Sequence, residues 1–315
     1  MKNKLANIKE IYSSHPLVSI MIPTYNRPEL FEKTLQSALA QSYENIEILV
    51  NDNSTNEDTS SLIRKYECDS RLKYYRNKDA KCKEDNFRPF EHNAKGEYLQ
   101  WCMDDDILHK DKLSMMVSVM VSNPHITLTS SQRGFIDEND SFIAPRRETI
   151  IKDDVIGRGY KGNAIGNYML KEISNLIGEP SAALFRRSDL AHHYWQADCR
   201  GYKTISDVVM WLELLEKGDL FLFKEPLSYY RCHSQQEGKQ PEVILFSRVE
   251  WLKLLQEYYE RNIFIGKEDY IYGLHKLREN YLSMKDNYRY MSVANYSAYC
   301  ECMELIPEMI SSVNK

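Results

Sequence analysis

The chain has 315 residues, of which 43% are hydrophobic and 28% are charged, and its formal net charge is −5. A chain of this length can bury the core of one large domain, or of a domain with an appendage. Its slightly acidic balance supplies no basic field, so the composition argues against nucleic acid as the main partner.

From Leu17 to about Thr129 the chain alternates between short apolar runs and amphipathic stretches. A helix is predicted from about Pro28, where Asn26 can cap the first turn. This alternation is typical of βαβ units and predicts an α/β fold with a mainly parallel central sheet flanked by helices. The predicted strands are "LVSIMI" (17–22), "IEILV" (46–50), "LKYY" (72–75) and "EYLQWC" (97–102), and the further helices lie near 57–67, 85–94 and 111–122.

The second half begins with the polar, charged segment 137–163, which predicts a long loop or an irregular insertion. It is followed by a predicted strand at "SAALFRR" (181–187), a helix at "DVVMWLELLEKG" (207–218) and an extended run at "DLFLFKEPLSYYRCH" (219–233). From about Val243 the pattern is helical and rich in tyrosine. We place the boundary in the polar stretch 234–242, which predicts an α/β domain at 1–238 and a C-terminal helical region at 239–315.

The C-terminal helices carry apolar stripes, which usually pack against the rest of a protein or against each other. A dimer interface, a contact with a membrane surface and an acceptor-docking site are the alternatives. The stripe residues are Trp251, Leu252, Leu254, Leu255, Tyr258 and Tyr259.

The N-terminal residues lack the apolar stretch and small-residue cleavage site of a signal peptide, so we expect none. No window approaches the roughly 20 apolar residues that span a bilayer. Seven cysteines without a CxxC pair indicate reduced thiols. We therefore expect a cytoplasmic protein, with the inner face of the membrane as an alternative location.

Several large enzyme classes lack their motifs here. No Walker lysine motif, HExxH or G-x-S-x-G is present, and "PTYNRP" follows the first strand where a dinucleotide-binding fold has G-x-G-x-x-G. That glycine pattern does occur at Gly157, Gly159 and Gly162, but it lies in the predicted loop without a βαβ context, which argues against a cofactor site.

Polar segments follow three predicted strands: "PTYN", "NDNST" and "MDDD". Ligands of open α/β sheets bind outside the carboxyl ends of the strands, so these segments predict one site. "MDDD" has two interpretations. Its aspartates either favour the start of the next helix or bind a divalent cation, with Asp104 and Asp106 on one side of an extended backbone.

From Val18 to about His233 the chain contains, in this order, "VSIMIPTYNRPELFEKTLQSALAQSYENIEILVNDNST", "GEYLQWCMDDD" and "ISDVVMWLELLEKGDLFLFKEPLSYYRCH". This ordered set resembles the family 2 glycosyltransferases. The resemblance implies a GT-A (Rossmann-like) fold, a Mn²⁺ or Mg²⁺ cofactor, and inverting transfer of a sugar from a nucleotide-diphospho-sugar. The donor is expected to be UDP-linked and the acceptor a glycan or glycoconjugate.

The resemblance also assigns residues by position. Asp52 matches the carboxylate that contacts the base, the acidic trio matches the DxD-type motif, and Asp207 matches the catalytic base. Arg231 and His233 match the closing "YRxH". The expected donor-binding residues are Pro23, Thr24, Tyr25, Asp52, Arg76, Asn86, Asp104, Asp105 and Arg231; the expected metal ligands are Asp104, Asp106 and His233.

Some features depart from the family. Ser206 stands where many relatives have a glutamate before the base, and "NKDAKCKEDNF" lacks the usual glycine near Asn86. The QxxRW signature of processive members is absent, which predicts addition of a single sugar. Two other functions remain: a non-catalytic nucleotide-sugar-binding or scaffold protein with this fold, and a sugar-nucleotide nucleotidyltransferase, whose Gly-rich loop after the first strand is missing.

Overall fold

The computed structural model describes residues 15–144, 158–190, 201–233, 240–283 and 293–313. Their contacts divide the chain into two compact units. The first contains the described residues within 1–160, 177–195 and 217–232, and the second those within 161–176, 196–216 and 233–315. This division follows the contacts between residues and does not test the predicted domain boundary at residue 238, which stays a prediction.

The first half of the sheet is parallel. Strands β1 (Val18–Thr24), β2 (Ile46–Asp52), β3 (Leu72–Arg76) and β4 (Tyr98–Trp101) lie in the order β3-β2-β1-β4. The helices between them are α1 (Pro28–Leu39), α2 (Asp58–Ile63), α3 (Glu84–Phe87) and α4 (Pro89–Asn93). β1 and β2 are buried along their whole lengths, which is why they read as apolar runs rather than as an alternation.

The second half of the sheet is mixed. It contains β5 (Ile107–Leu108), β6 (Ile126–Ile136), β7 (Arg158–Tyr160), β8 (Leu184–Arg186) and β9 (Asp219–Arg231), with α5 (Lys112–Ser122) between β5 and β6. β8 pairs antiparallel with β4 and β6, whereas β6 and β9 are parallel. β5 and β7 both pair antiparallel with β9. The parallel sheet expected from the sequence is therefore its first four strands, and the rest extends it with both orientations.

Part of the expected loop at 137–163 forms regular secondary structure. Arg158–Tyr160 forms β7 on β9, and Gly162 begins a helix, so the loop expectation is wrong there. Of the glycine pattern, Gly157 lies outside the described residues and Gly159 lies in β7. Within the described residues, Gly159 therefore lies in a strand that pairs antiparallel with β9 rather than in a parallel βαβ unit.

The second unit is helical. It contains α6 (Gly162–Glu172), α7 (Ser206–Lys217, apart from its last residue), α8 (Pro241–Glu260), α9 (Lys267–Ser283) and α10 (Val293–Val313). Trp251, Leu252, Leu254 and Leu255 are buried, and Tyr259 of α8 stacks on a tyrosine of α9, so the apolar stripe packs as expected. In the parts of the chain that the structure describes, no helix is both long enough and apolar enough to cross a bilayer.

Candidate functional site

The carboxyl ends of three strands lie side by side at one edge of the sheet in the first unit. The register aligns Thr24, the last residue of β1, with Asp52, the last residue of β2, and aligns Asp52 with Arg76, the last residue of β3. Met21 of β1 aligns with Trp101, where β4 ends just before the acidic trio. The polar segments that follow separate strands in the sequence are therefore neighbours, as parallel pairing requires.

Asp52 is completely buried and is held by its neighbours. Its Oδ1 accepts a hydrogen bond from the Ser54 N–H (2.7 Å), and its Oδ2 accepts one from the Tyr74 hydroxyl (2.6 Å) and pairs with Arg76. Burial and the bond to Asp52 raise the pKa of Tyr74, so its hydroxyl stays a proton donor. The described partners of Asp52 are all protein groups, and its role as the contact to the base stays a prediction.

Asn26 joins two loops at this edge. Its N–H donates to Ser54 Oγ (2.7 Å), and its Oδ1 accepts the N–H of Thr55 (2.9 Å). Its φ of 52° lies in the left-handed region, which asparagine tolerates better than most residues. The expectation that Asn26 caps α1 is wrong, since Arg27 occupies the N-cap position and no side chain caps the helix.

Tyr25 is the most open of the expected donor-binding residues in this loop. It is 51% exposed, whereas Pro23 is buried within β1. An exposed aromatic ring beside buried hydrogen-bonding groups offers a face for stacking a planar base.

Two buried asparagines leave acceptor atoms unused at the same edge. Asn51 Nδ2 donates to the Asn86 carbonyl (3.0 Å), and Asn86 Nδ2 donates to the Thr24 carbonyl (3.1 Å). Both side-chain oxygens are buried, and among the described residues neither has a hydrogen-bond partner. Because buried polar atoms in native proteins are nearly always paired, these oxygens suit a water molecule or a ligand donor.

The acidic trio forms a turn rather than an extended strand end. The Asp106 N–H donates to the Met103 carbonyl (3.1 Å), which closes the turn. Asp104 accepts hydrogen bonds from the Thr24 hydroxyl (3.0 Å) and the Tyr25 N–H (3.3 Å). The argument that extended backbone aligns Asp104 with Asp106 is therefore wrong, although their role as metal ligands stays a prediction.

Arg27 is paired with two of the three carboxylates. Its Nη1 lies 3.1 Å from Asp105 Oδ2 and 3.5 Å from Asp104 Oδ1, and its side chain is about one third exposed (32%). Sequence reasoning missed Arg27, although it is the basic residue of "PTYNRP". A partly exposed guanidinium beside carboxylates can also contact a diphosphate.

Arg231 is completely buried and fastens the acidic turn to other segments. Its backbone N–H donates to Asp106 Oδ1 (3.2 Å), and its Nε donates to the Asp105 carbonyl (2.8 Å). Nη1 donates to the Asp137 carbonyl (2.8 Å), and Nη2 pairs with Asp140 (2.6 Å). These contacts hold Arg231 against the acidic turn, and its role as a diphosphate ligand stays a prediction.

The chemistry of the acidic turn fits a divalent cation. Burial, followed by the charge of Asp105, raises the pKa of Asp104 to about 7, and the same causes raise the pKa of Asp106. A cation would relieve this crowding of charge. Among the described residues no three His, Cys, Asp or Glu side chains converge on one metal position. However, Mg²⁺ usually needs only one or two carboxylates, with water and substrate phosphate oxygens completing its shell.

Lys112 is a buried lysine that sequence reasoning also missed. Its Nζ donates to the Ala182 carbonyl (2.7 Å), and burial lowers its pKa to about 7. No sequence signal indicated it, since a lysine at the start of a helix is normally solvated.

The other two predicted residues belong to the second unit. Asp207 is the second residue of α7, so the expectation that it begins a helix is confirmed. Its Oδ2 accepts a hydrogen bond from Asn175 Nδ2 (2.8 Å), and its Oδ1 accepts the Val208 N–H (2.8 Å). His233 is buried, and its role as a metal ligand stays a prediction.

Comparison with known proteins decides the family. The sequence profile described as "Glycosyl transferase family 2" matches residues 19–193, more than half of the chain. The chain belongs to this glycosyltransferase family. The resemblance noted from the motifs is thereby confirmed, and the matched span contains the strand-end site with Thr24, Asp52 and the acidic turn.

The curated relatives are similar over part of their length. The chain is 31% identical over 139 residues to WfgD of Escherichia coli, a UDP-Glc:alpha-D-GlcNAc-diphosphoundecaprenol beta-1,3-glucosyltransferase, covering 43% of this chain and 54% of that protein. Across the curated relatives compared, the alignments span between 17% and 54% of the relatives' own length. The similarity therefore concerns the glycosyltransferase region and leaves much of each relative unmatched.

Solved structures confirm the GT-A fold. The chain superimposes on S. aureus TarS 1–349 in complex with UDP-GlcNAc with a TM-score of 0.65 at 13% identity, covering 94% of this chain and 83% of that one. A mannosyltransferase from Pyrobaculum calidifontis, solved with GDP-Man and Mn²⁺, superimposes with a TM-score of 0.50 at 14% identity, covering 96% and 85%. At these identities the likeness concerns the fold.

Proposed function

We propose that this family 2 member is a non-processive, inverting glycosyltransferase that moves a sugar from a UDP-sugar to an acceptor hydroxyl of a glycan or glycoconjugate. The observation that carries the proposal is the convergence of Thr24, Asp52 and Asp104 at one sheet edge, with Asp104 hydrogen-bonded to Thr24. The UDP-GlcNAc complex of the structural neighbour TarS and the lipid-linked acceptor of the relative WfgD support this choice of substrates.

The donor half of the proposal assigns the strand-end residues to the nucleotide. Asp52 would accept a hydrogen bond from the base, and Tyr25, with its exposed ring, would stack on it. Asp104, with Asp105 or Asp106, would hold Mn²⁺ or Mg²⁺ against the diphosphate. When bound, the ion would offset the negative charge that develops on the departing diphosphate.

In the acceptor half of the proposal, Asp207 is the base that takes the proton of the acceptor hydroxyl. A sugar hydroxyl is a poor nucleophile until a base takes its proton. The acceptor oxygen would form a bond to the anomeric carbon while the bond from that carbon to the diphosphate oxygen breaks. The proton passes to Asp207 and the electron pair leaves with the nucleotide. Attack from the face opposite the leaving group inverts the anomeric centre.

The experiment measures thermal shifts and nucleotide release with UDP-GlcNAc, UDP-Glc and GDP-Man, with and without Mn²⁺. We expect a UDP-sugar to stabilise the protein and to be slowly hydrolysed in a metal-dependent way. Asp104→Asn should weaken nucleotide binding at least about tenfold, or about 1.4 kcal/mol, because it removes a charge from the acidic turn. Asp111→Asn is the matched control, since Asp111 lies at the N-cap of α5 and makes no capping bond there.

Binding of a UDP-sugar without any hydrolysis or transfer would instead support a non-catalytic nucleotide-sugar-binding protein. Equal losses of binding in the two variants would show that Asp104 acts through general charge rather than at the site. Absence of any response to all three nucleotide sugars would refute the proposal.

A further inference from the structure

The segment that leads into α7 is held by one carboxylate from the C-terminal helices. Glu250, on α8, accepts hydrogen bonds from the backbone N–H groups of Lys203 (2.8 Å), Thr204 (2.8 Å) and Ile205 (3.0 Å). It also accepts one from the Thr204 hydroxyl (2.7 Å). Four bonds converge on a single side chain, and all of these residues belong to the second unit.

This anchorage lies directly before Asp207. Three consecutive N–H groups are fixed to one rigid helix, and α7 begins at the next residue, Ser206. A charged acceptor makes such bonds stronger than neutral ones, so the backbone entering α7 has little freedom. The direction of the Asp207 side chain depends on where that first turn starts.

A second contact sets the rotation of the carboxylate itself. Asn175 donates to Asp207 Oδ2, while Oδ1 accepts the N–H of the next residue along the helix. Asn175 follows α6 in the same unit. The backbone of Asp207 and its carboxylate are thus held by different parts of the chain.

We infer that Glu250 is a positioning residue for Asp207, and that the C-terminal helices serve the reaction by fixing the base. The inference rests on the proposed function, in which Asp207 takes the acceptor proton. Asp207 and Glu250 both lie beyond residue 193, where the family match ends. A displacement of about 1 Å of a reacting group costs about a hundredfold in rate, so the anchor has a measurable effect.

Two substitutions of Glu250 remove different numbers of these hydrogen bonds. Glu250→Ala removes all four bonds. Glu250→Gln retains one acceptor oxygen, which can keep the bonds to Thr204 and Ile205 while an amide NH₂ faces the Lys203 N–H. We expect kcat for UDP release to fall about 10- to 100-fold in Glu250→Ala and less than tenfold in Glu250→Gln. The KM for the UDP-sugar should stay within about twofold in both, because the donor residues are untouched.

Hydrogen exchange reports the anchorage without relying on activity. Peptides that cover 203–208 should exchange faster in Glu250→Ala than in the unaltered protein, since their N–H groups lose their acceptor. Glu260→Ala is the matched control: Glu260 lies on the same helix, is exposed, and accepts a hydrogen bond from Gln256 Nε2 (2.8 Å) within that helix. It should leave both exchange at 203–208 and kcat near the unaltered values.

Three results would overturn the inference: unchanged exchange at 203–208 in Glu250→Ala, an unchanged kcat in a folded Glu250→Gln and Glu250→Ala pair, or an equal fall of kcat in Glu260→Ala. Failure of the proposed function has a different signature. In that case the unaltered protein releases no nucleotide from any donor, whereas the exchange comparison still gives its answer about the anchor.

Discussion

Arg231 offers the sharpest test of how the acidic turn is built. Its guanidinium is completely buried and donates to the carbonyls of Asp105 and Asp137, and it also pairs with Asp140. Two roles are open for it. As a clamp it stabilises the fold of the turn, and as a diphosphate ligand it contributes to nucleotide binding. Arg231→Lys and Arg231→Met separate these roles.

The hydrogen bonds of Arg231 set how much unfolding free energy should be lost if Arg231 acts as a clamp. A hydrogen bond to a charged group contributes roughly 1.5 to 3 kcal/mol, and Arg231→Met removes two such bonds to carbonyls at 2.8 Å. We therefore expect a loss of about 3 to 6 kcal/mol in the free energy of unfolding. Arg231→Lys keeps the charge but cannot reach both carbonyls, so it should lose about 2 kcal/mol. The ion pair adds less than about 1 kcal/mol, because Asp140 is 45% exposed.

Urea unfolding followed by tryptophan fluorescence measures these losses. With a slope of about 3 kcal/mol per molar urea, Arg231→Met should lower the midpoint by roughly 1 M or more. Asp140→Asn is the control, and its midpoint should move by less than about 0.3 M. An unchanged midpoint in Arg231→Lys, together with weaker UDP binding, would refute the clamp and support the ligand role.

Three further predictions concern the base and the sheet. Asp207→Asn should lower transfer by orders of magnitude while the dissociation constant for UDP stays unchanged; unaltered turnover would contradict the base assignment. Gly96→Ala should lower the unfolding temperature and cost about 1 to 3 kcal/mol, because the new Cβ would lie 2.5 Å from the Ser19 nitrogen. Burial raises the pKa of Glu47, but hydrogen bonds from Lys73, Ser19 and the backbone N–H of Lys95 outweigh the effect of burial and hold that pKa below its usual 4.5. The stability that ionised Glu47 contributes is complete above about pH 4.5 and is lost as the pH falls through its lower folded pKa. On acidification the urea midpoint should therefore fall less in Glu47→Gln than in the unaltered protein.

The strand-end site was largely predictable because its signals are local. β1 and β2 are buried on both faces, so they read as apolar runs, and the residue at which each run stops is visible in the sequence. Parallel pairing then brings the ends of these strands together. This reasoning predicted one site for the segments that contain Thr24 and Asp52, and in the structure these two residues are aligned on neighbouring strands.

The parts that could not be predicted depend on partners distant in the chain. The acidic trio reads as the end of a strand, but its conformation is set by Thr24 and by Arg231, which lies 125 residues beyond Asp106. The loop role of Asn26 depends likewise on Ser54 and Thr55. Such hydrogen bonds leave no periodic pattern in the sequence, because each one involves a single polar side chain and a partner far along the chain.

The sequence by itself determined the α/β class, the family and the polar residues at the carboxyl edge of the sheet, because hydrophobic periodicity and ordered motifs are written along the chain. Only the tertiary structure decided which carboxylate meets which donor. It turned the trio into a closed turn, paired Arg27 with Asp105 and anchored the start of α7 to Glu250. The physical reason is that any arrangement of apolar side chains that excludes water lowers the free energy, whereas a buried charge is stable only with a particular partner at hydrogen-bonding distance.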